Sequence, residues 1–180
     1  MAEPTPPLDR RHRVFFALWP NAAVRDTAVA LRAVHAAAGR DVPAAHLHLT
    51  LAFAGTVKAA QLATMRSAAD AVRAPPFVLQ LDRLDGFEAA RVQWLGPSAP
   101  PESLQTLARE LQQGCRQAGI ALREEDFQPH VTLRRNCRKP IRKAVAAIAW
   151  PVSDFALIES GQAGRPGAYR VLGRWPLRSA

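Results

Sequence analysis

His48-Leu49-Thr50-Leu51 returns in the second half of the chain as His130-Val131-Thr132-Leu133. In an extended strand, residues two apart share a face. Each copy therefore sets its histidine and threonine on one side, and Leu49, Leu51, Val131 and Leu133 on the other. One face suits a core and the other a polar cleft. Imidazoles titrate near neutral pH and serve as proton donor or acceptor. His48 and His130 are thus a candidate acid/base pair, equivalent to each other at this level. Thr50 and Thr132 place hydroxyl donors on that same face, where they can bond to an oxygen as charge builds on it. Strict alternation adds Arg134 to the same face as His130.

Around the two tetrads the chain reads as alternating strands and helices. Arg13 to Trp19 is a buried strand ended by Pro20. Asn21 caps a helix from Ala22 to Ala38, ended by Gly39. His46 to Ala54 is the first motif strand. Lys58 to Arg73 is a helix with Leu62, Met65, Ala69 and Val72 on one stripe. Phe77 to Leu84 and Arg91 to Leu95 are strands, with Asp85-Gly86 as the turn between them. After a Pro97 to Pro101 loop, Glu102 to Ala118 is a helix with Leu104, Leu107, Leu111 and Cys115 in line. Ile120 to Arg123 is a short strand, Phe127 to Arg134 the second motif strand, and Lys139 to Ile148 a short basic helix with Pro140 in its first turn. Val152 to Glu159 and Ala168 to Trp175 close the chain as a strand pair around a loop from Gly161 to Gly167. This order predicts an α+β fold of two similar halves.

At 180 residues and 48% hydrophobic content, the chain fits a single domain with a real core. The formal net charge is +9 and nearly all of the positive charge is arginine, with Lys58, Lys139 and Lys143 as the lysines. Arginine forks suit phosphate, and the basic balance favours polyanionic partners, although an arginine- and alanine-rich composition has the same effect. Cys115 and Cys137 lack metal-ligand spacing and fit a reduced, cytoplasmic protein. The proline-rich, charged stretch from 1 to 12 has no apolar core of a signal peptide and is expected to be a disordered tail, His12 included. No apolar run approaches the ~20 residues of a membrane span.

The tetrads, together with Arg13-Val-Phe-Phe-Ala-Leu-Trp19, Pro76-Phe-Val-Leu-Gln-Leu81, Arg91-Val-Gln-Trp-Leu95, Phe127-Gln-Pro-His130, Phe155 to Ser160 and Tyr169, resemble the 2H phosphoesterases. The resemblance is to the RNA 2',3'-cyclic phosphodiesterases, also called 2'-5' RNA ligases, and spans roughly residues 12 to 178. It implies two pseudo-symmetric lobes, each an antiparallel sheet with helices on its outer face, enclosing a central cleft. The expected domain runs from 13 to 180, with a lobe boundary near 97–101 and room for strand exchange between lobes. The implied activity is hydrolysis of RNA 2',3'-cyclic phosphate ends to 2'-phosphates, without metal or other cofactor. His130 is then the general base and His48 the general acid. The family pattern places an arginine five residues after the second histidine, which is Arg135; Arg134 is the second choice, and a bulge could reconcile the two. The implied partner is RNA with cyclic phosphate ends or a small cyclic nucleotide, the implied state a monomer. Where many members carry Arg-Trp-Val, this chain has Arg40-Asp-Val-Pro43, which puts the base-side contacts in question.

Other residues admit plainer readings. His46 shares a strand face with His48 and the two could ligate a metal, but no third ligand is evident and none is expected. His35 reads as a surface residue. Trp94 and Phe53 read as core. Phe15 alternates away from Val14 and Phe16, which makes it the candidate for stacking on a base. Competing functions are 2'-5' RNA ligation or cleavage at the same site, and RNA or nucleotide binding without turnover.

Overall fold

The computed structural model describes residues 11–122, 127–161 and 168–179. The described elements, in chain order, are β1 Arg11–Leu18, α1 Ala22–Val34, β2 Arg40–Asp41, β3 Leu49–Lys58, α2 Ala59–Ala71, β4 Phe77–Phe87, β5 Val92–Gly96, α3 Glu102–Gln117, β6 Val131–Arg135, β7 Lys143–Val152, β8 Asp154–Ser160 and β9 Tyr169–Pro176. A single 3₁₀ turn, Ala44–His46, precedes β3. The fold is α+β, built on an open antiparallel sheet in the order β7-β4-β5-β6-β3-β1-β8-β9, with β2 beside β6.

The two motif strands stand at the middle of that sheet. Leu49 and Val131, each next to its histidine, form the pair that joins β3 to β6. Beyond it, β6 takes the two-residue β2 as its neighbour, with Arg40 opposite Arg135 and Asp41 opposite Arg134. One half of the sheet is β3-β1-β8-β9 and the other β6-β5-β4-β7. The chain enters the second half after α2 and returns with β8. Pro97–Pro101 therefore links β5 to α3, and β5 and β6 are neighbours in one half.

Helices cover the face opposite the histidines. Asn21 caps α1 by accepting from the Val24 amide at 3.0 Å. The amphipathic stripe of α3 buries Leu104, Leu107, Leu111 and Cys115 as its spacing requires. Each fully buried leucine contributes about 1.5–3 kcal/mol. α3 packs on α2 and on β3, while α1 packs on β7. The helix that follows β1 thus lies on the other half of the sheet, and the helix that follows β5 lies on the half of β3. Val14, Phe16 and Leu18 join this main core. Phe15 and Ala17, on the alternate positions, form a small cluster with Ala156 and Ile158 on the opposite face.

Several local expectations are corrected. Residues 143–148 are strand, not helix: β7 pairs with β4 and buries Ile148, Trp150 and Val152 on alternate positions. Pairing with β4 outweighs the helix propensity of the alanines, and Pro151 is tolerated because β7 is an edge strand. Asp85-Gly86 is not a turn, since β4 continues to Phe87 and the reversal falls on residues 88–91, with Arg91 at φ 53°. Gly86 faces Pro140, whose Cβ would lie 2.1 Å from an added Cβ, so the glycine serves close packing. α1 stops at Val34. Gly39, at φ 133°, instead brings the backbone against the Arg135 carbonyl, 2.8 Å from where a Cβ would be. Ile120–Leu122 form no strand, and Arg123 lies outside the described residues. So do 1–10 and 162–167. His12 is not tail but part of β1, its Nδ1 2.6 Å from Glu159 Oε1.

Candidate active site

Each histidine precedes its motif strand by one residue, and both are held in the same way. The Nδ1 of His48 lies 2.7 Å from the carbonyl of His46, and that of His130 lies 2.8 Å from the carbonyl of Gln128. A carbonyl can only accept, so Nδ1 carries the proton in both rings. That leaves the two Nε2 atoms as the proton-transferring positions.

Both motif strands then carry a bulge at the same letter. In β3, Thr50 faces Ala17 and Ala52 faces Phe16, leaving Leu51 as the extra residue. In β6, Thr132 faces Trp94 and Arg134 faces Gln93, leaving Leu133 as the extra residue. A bulge shifts the alternation by one. It sends Ala52 and Arg134 to the buried side and brings Phe53 and Arg135 back to the side of the histidines.

This settles the positions of the two arginines. Arg134 is buried and fully engaged, donating to Asp41 Oδ1 at 2.7 Å, the His35 carbonyl at 2.9 Å and the Arg32 carbonyl at 2.8 Å. It braces β6 against β2 and the end of α1. Arg135 lines the cavities beside His48 and pairs with no carboxylate among the described residues.

Three adjoining cavities surround the histidines. One of about 330 Å³ is lined by Arg40, His46, His48, Thr132, Arg135 and Tyr169 among others. A second, about 360 Å³, shares His48, Arg135 and Tyr169 and adds Arg13, Thr50 and Phe53. The third, about 700 Å³, holds His130 with Thr50, Phe53, Phe87, Gln112 and Phe127. Both threonines are half-buried, and neither hydroxyl is hydrogen-bonded to another described residue.

The two imidazoles sit in different surroundings. Trp19 stacks on His48 at 5.3 Å with the rings 7° from parallel, Phe15 lies at 4.9 Å and Tyr169 at 5.5 Å. Burial pushes the pKa of His48 down to about 4, with the positive charge of Arg135 and the neighbouring His130 and His46 adding to the effect. His130 touches Phe87 and Trp94 at 5.0 and 6.0 Å. Its pKa is lowered too, by burial first and by Arg135 as well. Arg135 is thus electrostatically close to both rings.

Phe15 lies on the cleft side, as its alternation requires, but it is only 4% exposed. Its contacts with His48, Phe53 and Tyr169 cover most of the ring, which still borders the cavity shared by Arg13, His48 and Thr50, so it chiefly supports His48. Phe53, expected in the core, is 49% exposed, with the Arg13 guanidinium 5.2 Å from its ring centre. His35 lends its carbonyl to Arg134. His46 packs edge-on against Tyr169 at 4.7 Å, and no group of three or more His, Cys, Asp or Glu suited to a metal ion forms around it among the described residues. The residues that sequence reasoning missed are Trp19, Phe53, Phe87 and the two carbonyl partners. A backbone carbonyl has no residue-type signature, and an aromatic on a strand looks the same whether it faces core or cleft.

Residues 3–164 match the 2'-5' RNA ligase superfamily. The chain belongs to that family. It is 36% identical over 169 residues to the RNA 2',3'-cyclic phosphodiesterase of Escherichia coli K12, a match covering 92% of this chain and 96% of that protein. Its fold superposes on the crystal structure of E. coli LigT complexed with 3'-AMP with a TM-score of 0.85 at 34% identity, covering 93% of this chain and 99% of that one. A crystal structure described as a phosphoesterase matches at a TM-score of 0.86 and 35% identity, over 94% of this chain and 100% of the other. The 2H phosphoesterase resemblance carried by the two tetrads therefore holds for family and fold. Among the described residues, no helix is long and apolar enough to cross a membrane.

Proposed function

We propose that this protein hydrolyses RNA 2',3'-cyclic phosphate ends to 2'-phosphomonoesters by a two-histidine mechanism that needs no metal. The carrying observation is the matched pair of Nδ1-to-carbonyl bonds, which leaves one Nε2 on each imidazole available to the cleft. His130 is the base: its lowered pKa keeps it neutral at pH 7, so its Nε2 can take a proton from water as that water attacks phosphorus. The bond from phosphorus to the 3' oxygen breaks, and protonated His48 gives its Nε2 proton to that oxygen. In the free protein His48 is mostly neutral at pH 7, with its pKa lowered to about 4. A bound phosphate places negative charge beside it, offsets Arg135 and raises that pKa toward a working value. Thr50, Thr132 and Arg135 hold the non-bridging oxygens, whose charge grows in the transition state. Phe53 gives the terminal base an exposed ring to lie against.

The test is hydrolysis of a short RNA ending in a 2',3'-cyclic phosphate, with EDTA present, and chromatography of the product. Turnover to the 2'-phosphate by the wild type, reduced about 10²–10⁴-fold in His48→Ala and in His130→Ala, supports the reading. A folded wild type without turnover, a 3'-phosphate product, or unchanged rates in either variant would overturn it.

A further inference from the structure

Arg40 and Arg135 are directly opposed across β2 and β6. Opposed residues on antiparallel strands point to the same side, with Cβ atoms about 4.5–5.5 Å apart, and like charges there repel. Both side chains line the same cavity. The carboxylate nearest in sequence, Asp41, also lines this cavity, but its two oxygens are already taken by Arg32 at 3.2 Å and Arg134 at 2.7 Å. The side chain of Arg40 makes no hydrogen bond or ion pair with any described residue, and neither does that of Arg135. The repulsion is also built in, because Arg134 and the tight approach at Gly39 fix β2 on β6. An opposed pair of unneutralised guanidiniums facing a cavity is a site for two anionic groups, not one.

One of these groups is the reacting phosphate, held by Arg135 next to His48 and Thr132. We infer that Arg40 binds a second phosphate on the same substrate: the phosphodiester one nucleotide upstream of the cyclic end. This inference rests on the reading of the site as an RNA cyclic phosphodiesterase. It makes the preferred substrate an oligonucleotide end and Arg40 the residue that distinguishes it from a mononucleotide. Only an RNA chain, in place of a free cyclic nucleotide, brings a second phosphate to that position. A terminal cyclic phosphate has only one neighbouring phosphodiester, so one additional arginine suffices.

The test compares three substrates: a mononucleotide 2',3'-cyclic phosphate, a dinucleotide ending in the same group, and that dinucleotide with an uncharged methylphosphonate linkage. The wild type is expected to show a kcat/KM about tenfold higher for the charged dinucleotide than for the methylphosphonate, the scale of one charge-assisted contact. Arg40→Ala brings that ratio close to one, Arg40→Lys retains part of it, and Arg40→Glu inverts it. Equal wild-type rates on the two dinucleotides would overturn the inference while leaving the hydrolase reading intact. So would an Arg40→Ala that slows all three substrates by the same factor. Absence of turnover of every substrate by the wild type would overturn both.

Discussion

Phe53 and Arg135 hold the same station in the two motif strands: each stands five residues beyond its histidine and just past the buried residue that follows the bulged leucine. The backbone solution is duplicated, but one copy ends in an exposed aromatic ring and the other in a cation. Proton transfer needs two similar histidines. Recognition of a nucleotide needs two unlike surfaces, one for a base and one for a phosphate.

Phe53→Ala should therefore raise KM for a dinucleotide cyclic phosphate by about tenfold, within the range that base–aromatic stacking contributes, and leave kcat within a few-fold. Steady-state kinetics separate the two. A loss confined to kcat would mean that Phe53 acts on His130 or His48 and not on the base.

Arg135→Gln should do the reverse. In the proposed mechanism Arg135 is a transition-state donor, and losing such a donor lowers kcat about 10²–10³-fold. The substitution also removes a positive charge that pushes both imidazoles down. In NMR titrations of the free protein, His48 should then titrate above its wild-type value of about 4, and His130 should move up as well. Unmoved histidines would place the Arg135 side chain elsewhere in solution.

The pH dependence follows from the same shifts. The proposed mechanism requires His48 protonated and His130 neutral. In the free protein both pKa values lie below the ordinary histidine value of 6.5. The protonated fraction of His48 falls about tenfold per pH unit above its pKa, and His130 gains its proton as pH drops. Since kcat/KM reports the free enzyme, it should peak below pH 6.5 and decline steadily above it. The profile of kcat should lie to the alkaline side of that of kcat/KM, because bound phosphate raises the pKa of His48. A kcat/KM that is flat to pH 8 would contradict these assignments.

The tetrads were legible because period-two alternation is a strong local signal, and the stripe on α3 was legible for the same reason at helical period. The bulges at Leu51 and Leu133 were not. Each arises from a mismatch between two strands, and one strand's letters do not contain it. This is why alternation put Arg134 in the cleft, while the pattern carried by resemblance put Arg135 there. β7 is ambiguous in sequence because residues 144, 146, 147 and 149 are alanines, which satisfy either period. Only pairing with β4 decides between them. Phe15 and Phe53 show the limit from the other direction: both face the cleft, and neighbouring rings decide which is covered.

Arg134 should matter for stability rather than for chemistry. Its guanidinium is almost fully buried and satisfied by Asp41 and two carbonyls from the end of α1. Arg134→Ala leaves the Arg32 and His35 carbonyls without this donor and Asp41 with Arg32 alone, and should cost roughly 1–3 kcal/mol, read from the urea midpoint. Arg134→Lys keeps the charge but not the fork, so it should fall between wild type and alanine. The kcat of the protein that remains folded should fall far less than in Arg135→Gln. Equal stability of Arg134→Ala and wild type would show that β2 and α1 are held to β6 by other contacts.

Gly86 provides a test of packing independent of the site. Its backbone is extended within β4, so an alanine would meet no conformational penalty there. The added Cβ, however, would lie 2.1 Å from Pro140 Cβ and 2.6 Å from the Val92 carbonyl oxygen. Neither neighbour is the free end of a flexible chain. The segment after β6 would have to lift off β4, and Gln93 holds that segment through bonds to the Ile141 amide and carbonyl at 2.5 and 2.9 Å. Overpacking of this kind typically costs about 1–3 kcal/mol. Gly86→Ala should therefore lower the melting temperature by several degrees. The double variant Gly86→Ala, Pro140→Gly should recover part of the loss, because a glycine at 140 has neither the Cβ nor the Cγ that the new methyl group meets. If Gly86→Ala alone were as stable as wild type, the glycine would be serving neither turn nor packing, and the close contact of Pro140 with β4 would be refuted.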